Sequence, residues 1–311
     1  MVHSDVLNGS FFKCSDILIN KLHALCVQTF KSNLLSVPTD CPHRERNGWL
    51  GDALCVSEAE CLNFDMALFY RKWFSDIEDS QHANGEVPWI APYESYKDRN
   101  YTHMDLPWGA AVIIVPWDAY MAIGDIRLLE NLYVSMGKWI ESLKTLQNSQ
   151  YIIEDGVMWG DHTSTCQPSK QYLGSIYYYR CVYLMAKIAS EVGNMDDVLR
   201  YSMLAEKIRS GIQRSFYLGD GSYDNNSQSS NAHAVYFGIA VGNEKKDTLN
   251  KIIEDIREKS LLTTGCLGNY CLLSALSDNG YNDFVYSLVK NTKKGFWGYW
   301  VISANLSIDI V

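Results

Sequence analysis

Residues 38–52 read PTDCPHRERNGWLGD. Three acids (Asp40, Glu45 and Asp52) share this stretch with His43, Arg44, Arg46 and Trp49. Pro38 and Pro42 restrict the backbone, and Gly48 and Gly51 permit turns, so the loop is stiff where it carries charge. Three carboxylates crowded beside a Trp do not all keep ordinary pKa values. One that is repelled by its neighbours or partly desolvated holds its proton to higher pH, which is the property of a general acid. Arg44 and Arg46 then keep the others ionised. The plainer reading is a solvated acid–base network that ties down a loop. Cys41 is a packing residue in either reading, because adjacent carboxylates raise a thiol pKa even with His43 two positions away.

The loop lies between helical patterns. Ile17, Leu18, Leu22, Leu25, Cys26 and Phe30 recur at helical spacing, so residues 15–33 form an amphipathic helix with Ser15 or Asp16 as its cap. Residues 54–80, 110–122, 126–147, 171–192, 196–216, 228–241, 245–258, 267–278 and 281–292 read as helices too. Gly followed by Asp or Asn separates several of them, as at 124–125, 193–194 and 242–243. Strand signals are thin: VIIV at 112–115 is ambiguous, and 86–90 and 151–159 are candidate hairpins. About ten helices joined mostly by short turns predict antiparallel neighbours, and a ring of helix hairpins gathers its long loops at one end. Residues 34–53, 81–109 and 149–170 are those loops, and long loops of this composition carry function.

Bulk composition excludes several classes. Hydrophobic residues are 47% of 311 and charged residues 20%, enough for a large core and against disorder. The net charge is −9, with no Lys/Arg block longer than two, so neither nucleic acid nor an anionic membrane is an expected partner. No apolar run approaching the ~18 residues of a bilayer span is apparent. No signal peptide is visible, so a cytoplasmic location is expected, or a periplasmic one if the chain is part of a longer protein. Nine cysteines without a CxxC pair read as reduced thiols, with no metal site. Nine Trp and 20 Tyr are a mild pointer to a sugar ligand, although composition alone favours a large aromatic-rich core.

The segment 32–53, SNLLSVPTDCPHRERNGWLGDA, resembles the signature of bacterial α-L-rhamnosidases, glycoside hydrolase family 78. NGEVPWIAP at 84–92, WGAAVIIVPW at 108–117, WGD at 159–161, DNNSQSSNA at 224–232, LTTGCLGNYCLLSAL at 262–276 and WGYW at 297–300 follow in the family's order. The resemblance implies an all-α (α/α)6 toroid and hydrolysis of terminal α-L-rhamnosyl residues with inversion, needing no cofactor. A rhamnose-containing glycoside or oligosaccharide would be the partner, and a homo-oligomer is left open. Glu45 matches the family's general acid. Asp40, Arg44, Trp49, Asp52 and Asp161 match sugar contacts, with His162 and Trp108 as further pocket candidates. Ala110 stands where the family carries an acid. The family's general base follows the WGYM-like segment; in this chain Asp309 is the nearest candidate. The resemblance therefore predicts one catalytic domain over 1–311, incomplete at its C-terminus and without the family's flanking β-domains and final helices. A six-hairpin hydrolase for another sugar and a non-catalytic sugar-binding remnant are the alternatives.

Overall fold

Local chemistry starts the helices where side chains can take up free backbone N–H groups. In the computed structural model, which describes residues 3–93 and 104–303, Asp16 caps α1 (Ile17–Asn33) through the N–H groups of Leu18 and Ile19. Ser169 caps α8 (Lys170–Glu191), Asn194 caps α9 (Met195–Phe216) and Ser227 caps α10 (Gln228–Tyr236) in the same way. The other helices are α2 (Leu50–Asn63), α3 (Ala67–Ser80), α4 (Leu106–Gly109), α5 (Ala111–Ile123), α6 (Arg127–Glu130), α7 (Tyr133–Lys144), α11 (Gly242–Lys259), α12 (Cys266–Ser277), α13 (Asn282–Lys290) and α14 (Trp297–Ser303). A two-residue pair, β1 (Leu34–Leu35) with β2 (Val37–Pro38), forms the only sheet among the described residues.

Burial separates the helices into two layers. Of the 22 residues of α8, 14 are buried, and the first eight of α10 are all buried. The outer helices α9 and α11 bury only five residues each, and α1 buries none. Neighbouring contacts run α2–α5–α8–α10–α12 and return from α12 to α2. Helix α14 packs on α13 and α1, bringing the last hairpin against the first. Lys290 and Tyr286 of α13 reach Asp16 at 2.6 and 2.7 Å across that seam. The fold is a toroid of six helix hairpins, as expected. The inner helices start at one end, so the loops preceding α2, α5, α8 and α12 meet there.

Several boundaries differ from the expectation. The 54–80 pattern is two helices, because Phe64 is extended and bridges Asn8, and Asp65 N–H donates to Leu7 O. The 126–147 pattern also breaks, at Asn131–Leu132. VIIV is helical, inside α5. Residues 86–90 and 151–159 are not hairpins; each supplies one isolated bridge, Trp49–Ile90 and Gln147–Ile153. Leu106–Ile123 is long and apolar enough to cross a bilayer, contrary to expectation, but 67% of it is buried in the ring. Packing against α2 and α8 accounts for its apolarity.

Candidate active site

The charged loop is closed by its own backbone. Asp40 N–H donates to Asn47 O at 3.1 Å, and Asn47 N–H donates to Asp40 Oδ1 at 2.9 Å. Glu45 N–H donates to Cys41 Sγ at 3.3 Å, a structural use of that thiol. The loop is pinned to residues 89–91: Leu50 N–H donates to Trp89 O, and Ala91 N–H to Gly48 O. Gly48 is required by this approach, since a Cβ there would lie 2.1 Å from Ala91 O. Glu45 is exposed, and its Oε2 accepts the indole N–H of half-buried Trp49 at 2.9 Å. Arg44 is exposed and makes no ion pair among the described residues.

Trp49 is one side of an aromatic wall. It stacks on Trp89, with ring centres 6.1 Å apart, and meets Trp159 edge-on at 5.7 Å. Trp89 and Trp159 are themselves 5.5 Å apart. His162 lies edge-on to both Trp159 and Trp108, at 6.5 and 6.4 Å. Trp108 is buried, its ring against the backbone of Gly51. Three of the loops thus converge on one recess. Such a wall presents apolar faces beside carboxylates, the combination that holds a sugar ring by its C–H surface and its hydroxyls.

Asp52 stands in the first turn of α2 within this recess. Solvent reaches its carboxyl, yet surrounding protein desolvates it, and its pKa is pushed up to about 6. Desolvation is the main cause; the charge of Asp40 adds to it, and Glu45 adds less. His162 and a backbone hydrogen bond act in the opposite sense. The predicted acids Asp40, Glu45 and Asp52 are therefore electrostatic neighbours, and their mutual repulsion contributes to the raised pKa of Asp52.

Asp161 is placed differently. It is fully buried, and its two oxygens accept the N–H groups of Gly265 at 2.8 Å and Gly268 at 3.0 Å. It anchors the start of α12, where the helix dipole favours an anion, and no face of it is open to a sugar. Ala110 is buried and offers only a methyl group. Asp309 lies outside the described residues. Gln228 ties α10 to the approach to α12, donating to Asp255 and Leu261 O while accepting from Thr263 N–H. Among the described residues no group of three or more His, Cys, Asp or Glu side chains could hold a metal ion.

One residue that holds the site's loops is not among the sequence candidates. Asp105 is buried, caps α4 and also binds the loop that carries Trp159. Asp with Pro two residues on is a helix-start signature, and that signal was available.

A six-hairpin ring with carboxylates and Trp rings at the mouth defines a glycosidase-type domain. Residues 8–305 match the bacterial alpha-L-rhamnosidase 6 hairpin glycosidase domain, and the chain belongs to that family. It is 29% identical over 291 residues to an alpha-L-rhamnosidase of Streptomyces avermitilis, covering 93% of this chain and 28% of that protein. The crystal structure of the Streptomyces avermitilis alpha-L-rhamnosidase complexed with L-rhamnose superposes with a TM-score of 0.90 at 28% identity, covering 97% of this chain and 29% of that one. The alpha-L-rhamnosidase from Dictyoglumus thermophilum gives 0.89 at 33% identity, covering 97% and 35%. The chain thus spans about a third or less of these relatives.

Proposed function

We propose that this domain binds and hydrolyses terminal α-L-rhamnosides. The observation that carries the reading is the Glu45–Trp49 hydrogen bond at the edge of the aromatic wall. It aims a carboxyl group along the surface where a sugar would lie. Glu45 gives its proton to the departing glycosidic oxygen. Asp40, Arg44 and Asp52 bind hydroxyl groups, and Trp49 with its neighbours takes the apolar face, including the C6 methyl. We further propose inversion at the anomeric carbon. This needs a second carboxylate on the opposite face, ~6.5–9.5 Å from the acid, to draw a proton from the attacking water. Asp309 is the sequence's candidate for that base.

The raised pKa of Asp52 favours a second assignment on the same fold, with Asp52 as the proton donor and Glu45 as an orienting group. Aryl α-L-rhamnosides with good and poor leaving groups separate the two. If Glu45 is the acid, Glu45→Gln loses roughly 10²-fold or more with the poor leaving group and much less with the good one. The same selectivity in Asp52→Asn instead transfers the role to Asp52. A folded chain that binds L-rhamnose but turns over neither substrate is a sugar-binding domain, and the hydrolase reading fails. A panel of other aryl glycosides tests the sugar class.

A further inference from the structure

We propose that Asp105 is a positioning residue that sets Trp108 and Trp159, two of the tryptophans of the recess, relative to each other; this rests on the sugar-binding role proposed above. Its carboxylate is fully buried and joins two distant pieces of chain. Oδ1 accepts the N–H of Trp108 at 3.1 Å, capping α4. Oδ2 accepts two further N–H groups, from Met158 at 2.6 Å and Trp159 at 2.9 Å, 53 and 54 positions away in sequence. A third tie runs alongside, from Leu106 N–H to Gly156 O at 2.8 Å.

A helix cap needs one oxygen. The second oxygen of Asp105 serves a different loop, and that loop carries Trp159. The Trp159 ring packs edge-on to Trp49, whose indole N–H holds Glu45. Trp108, on the other oxygen, packs against Gly51 beside Asp52. The carboxylate therefore couples the position of the aromatic wall to the position of both acids. It touches no ligand itself, being enclosed, and acts through Trp108 and Trp159. Burial raises its pKa, and the three N–H groups work against that rise. Asparagine cannot substitute. Its amide offers one acceptor oxygen and would point N–H groups at backbone N–H groups.

The first test needs no variant. The side chains of Met158 and Trp159 are exposed, as in an open loop, yet their amides should exchange with deuterium slowly, at the rate of helix interiors. Exchange at loop rates overturns the proposal, and this result stands even if Asp105→Asn fails to fold. In folded Asp105→Asn, near-UV circular dichroism from the Trp cluster should weaken. L-rhamnose should bind about tenfold more weakly by Trp fluorescence, the loss of one or two buried hydrogen bonds. In a Trp159→Ala background the same substitution should cost distinctly less rhamnose affinity than in the wild type, because only the route through Trp108 is left. An equal loss in both backgrounds, or wild-type affinity and dichroism in Asp105→Asn, overturns it. If the wild-type chain binds no rhamnose, the functional reading fails, while amide exchange and the dichroism of Asp105→Asn still decide the clamp.

Discussion

Replacing Asp40 by Asn should lower the pH at which Asp52 titrates, and replacing His162 by Ala should raise it. Asp52 is held at about 6 first by desolvation and then by the charge of Asp40, with His162 opposing. Both neighbours act across a recess that solvent enters, so the local dielectric is high. A unit charge at ~6 Å with an effective dielectric constant of ~60 contributes roughly 1 kcal/mol. At 1.36 kcal/mol per pH unit, removing Asp40 should move the midpoint down by about half a unit or slightly more. Removing His162 should move it up by a smaller amount, since its effect on Asp52 ranks below that of Asp40.

The assay is kcat/KM against pH for an aryl α-L-rhamnoside, or a carbon NMR titration of the Asp52 carboxyl if turnover is slow. Asp52→Asn identifies the limb by erasing it. Salt supplies an internal control. At ~1 M NaCl the Debye length falls to ~3 Å, so the Asp40 and His162 effects should shrink together. The desolvation part should survive, leaving the midpoint above that of an ordinary aspartate. The reasoning is refuted if Asp40→Asn raises the midpoint, or if salt alone returns it to the ordinary carboxylate range.

Three further outcomes follow from packing and burial. A Cβ on Gly51 would sit 2.2–2.4 Å from the Trp108 ring, so Gly51→Ala must drive that buried indole back by about 1 Å; a stability loss of about 1–3 kcal/mol by urea unfolding and weaker rhamnose binding are expected. Glu60 is 2% exposed, accepts the Tyr70 hydroxyl at 2.6 Å and has its pKa pushed up by burial to about 7, from 4.5 in the unfolded chain. A raised folded pKa means its contribution is fully present below about 4.5 and is lost as pH rises through about 7. Glu60→Gln keeps the acceptor and removes the titration, so relative to wild type it should gain up to roughly 3 kcal/mol between pH 4 and pH 8 in thermal unfolding. Asp161→Asn should lower stability by about 2–3 kcal/mol, because an amide N–H would face Gly265 or Gly268 N–H, and leave rhamnose affinity in the folded fraction near wild type; lost affinity at unchanged stability would make Asp161 a sugar contact instead.

The helical framework was legible because apolar periodicity records which face of each segment is buried. It failed where a distant partner decided the backbone. Nothing within residues 54–80 shows that the chain opens at Phe64; the opening is made by residues 7–9, which hydrogen-bond to Asn63 and Asp65. Ile90 reads as part of a strand, yet among the described residues its bridge partner is Trp49 alone, so no hairpin forms there. Helix α14 went unread as a helix because WGYW shows no periodicity over so short a stretch.

The site shows the same division between local and distant causes. That three acids and Trp49 gather in one loop is visible in the sequence, and so is their mutual repulsion. Which carboxyl feels burial most is not, because burial comes from segments far away in sequence. Asp52 sits at the N-terminal end of α2, where the helix dipole favours the ionised form. It nevertheless titrates high, so desolvation outweighs the dipole there. Asp161 reverses the case: it reads as a pocket acid by motif, but the N–H groups of α12 enclose both its oxygens. Two aspartates near helix starts thus differ in what they can do. One keeps an open face toward the recess and can meet a hydroxyl group. The other is consumed by backbone donors, and any effect it has on the sugar must pass through the position of α12.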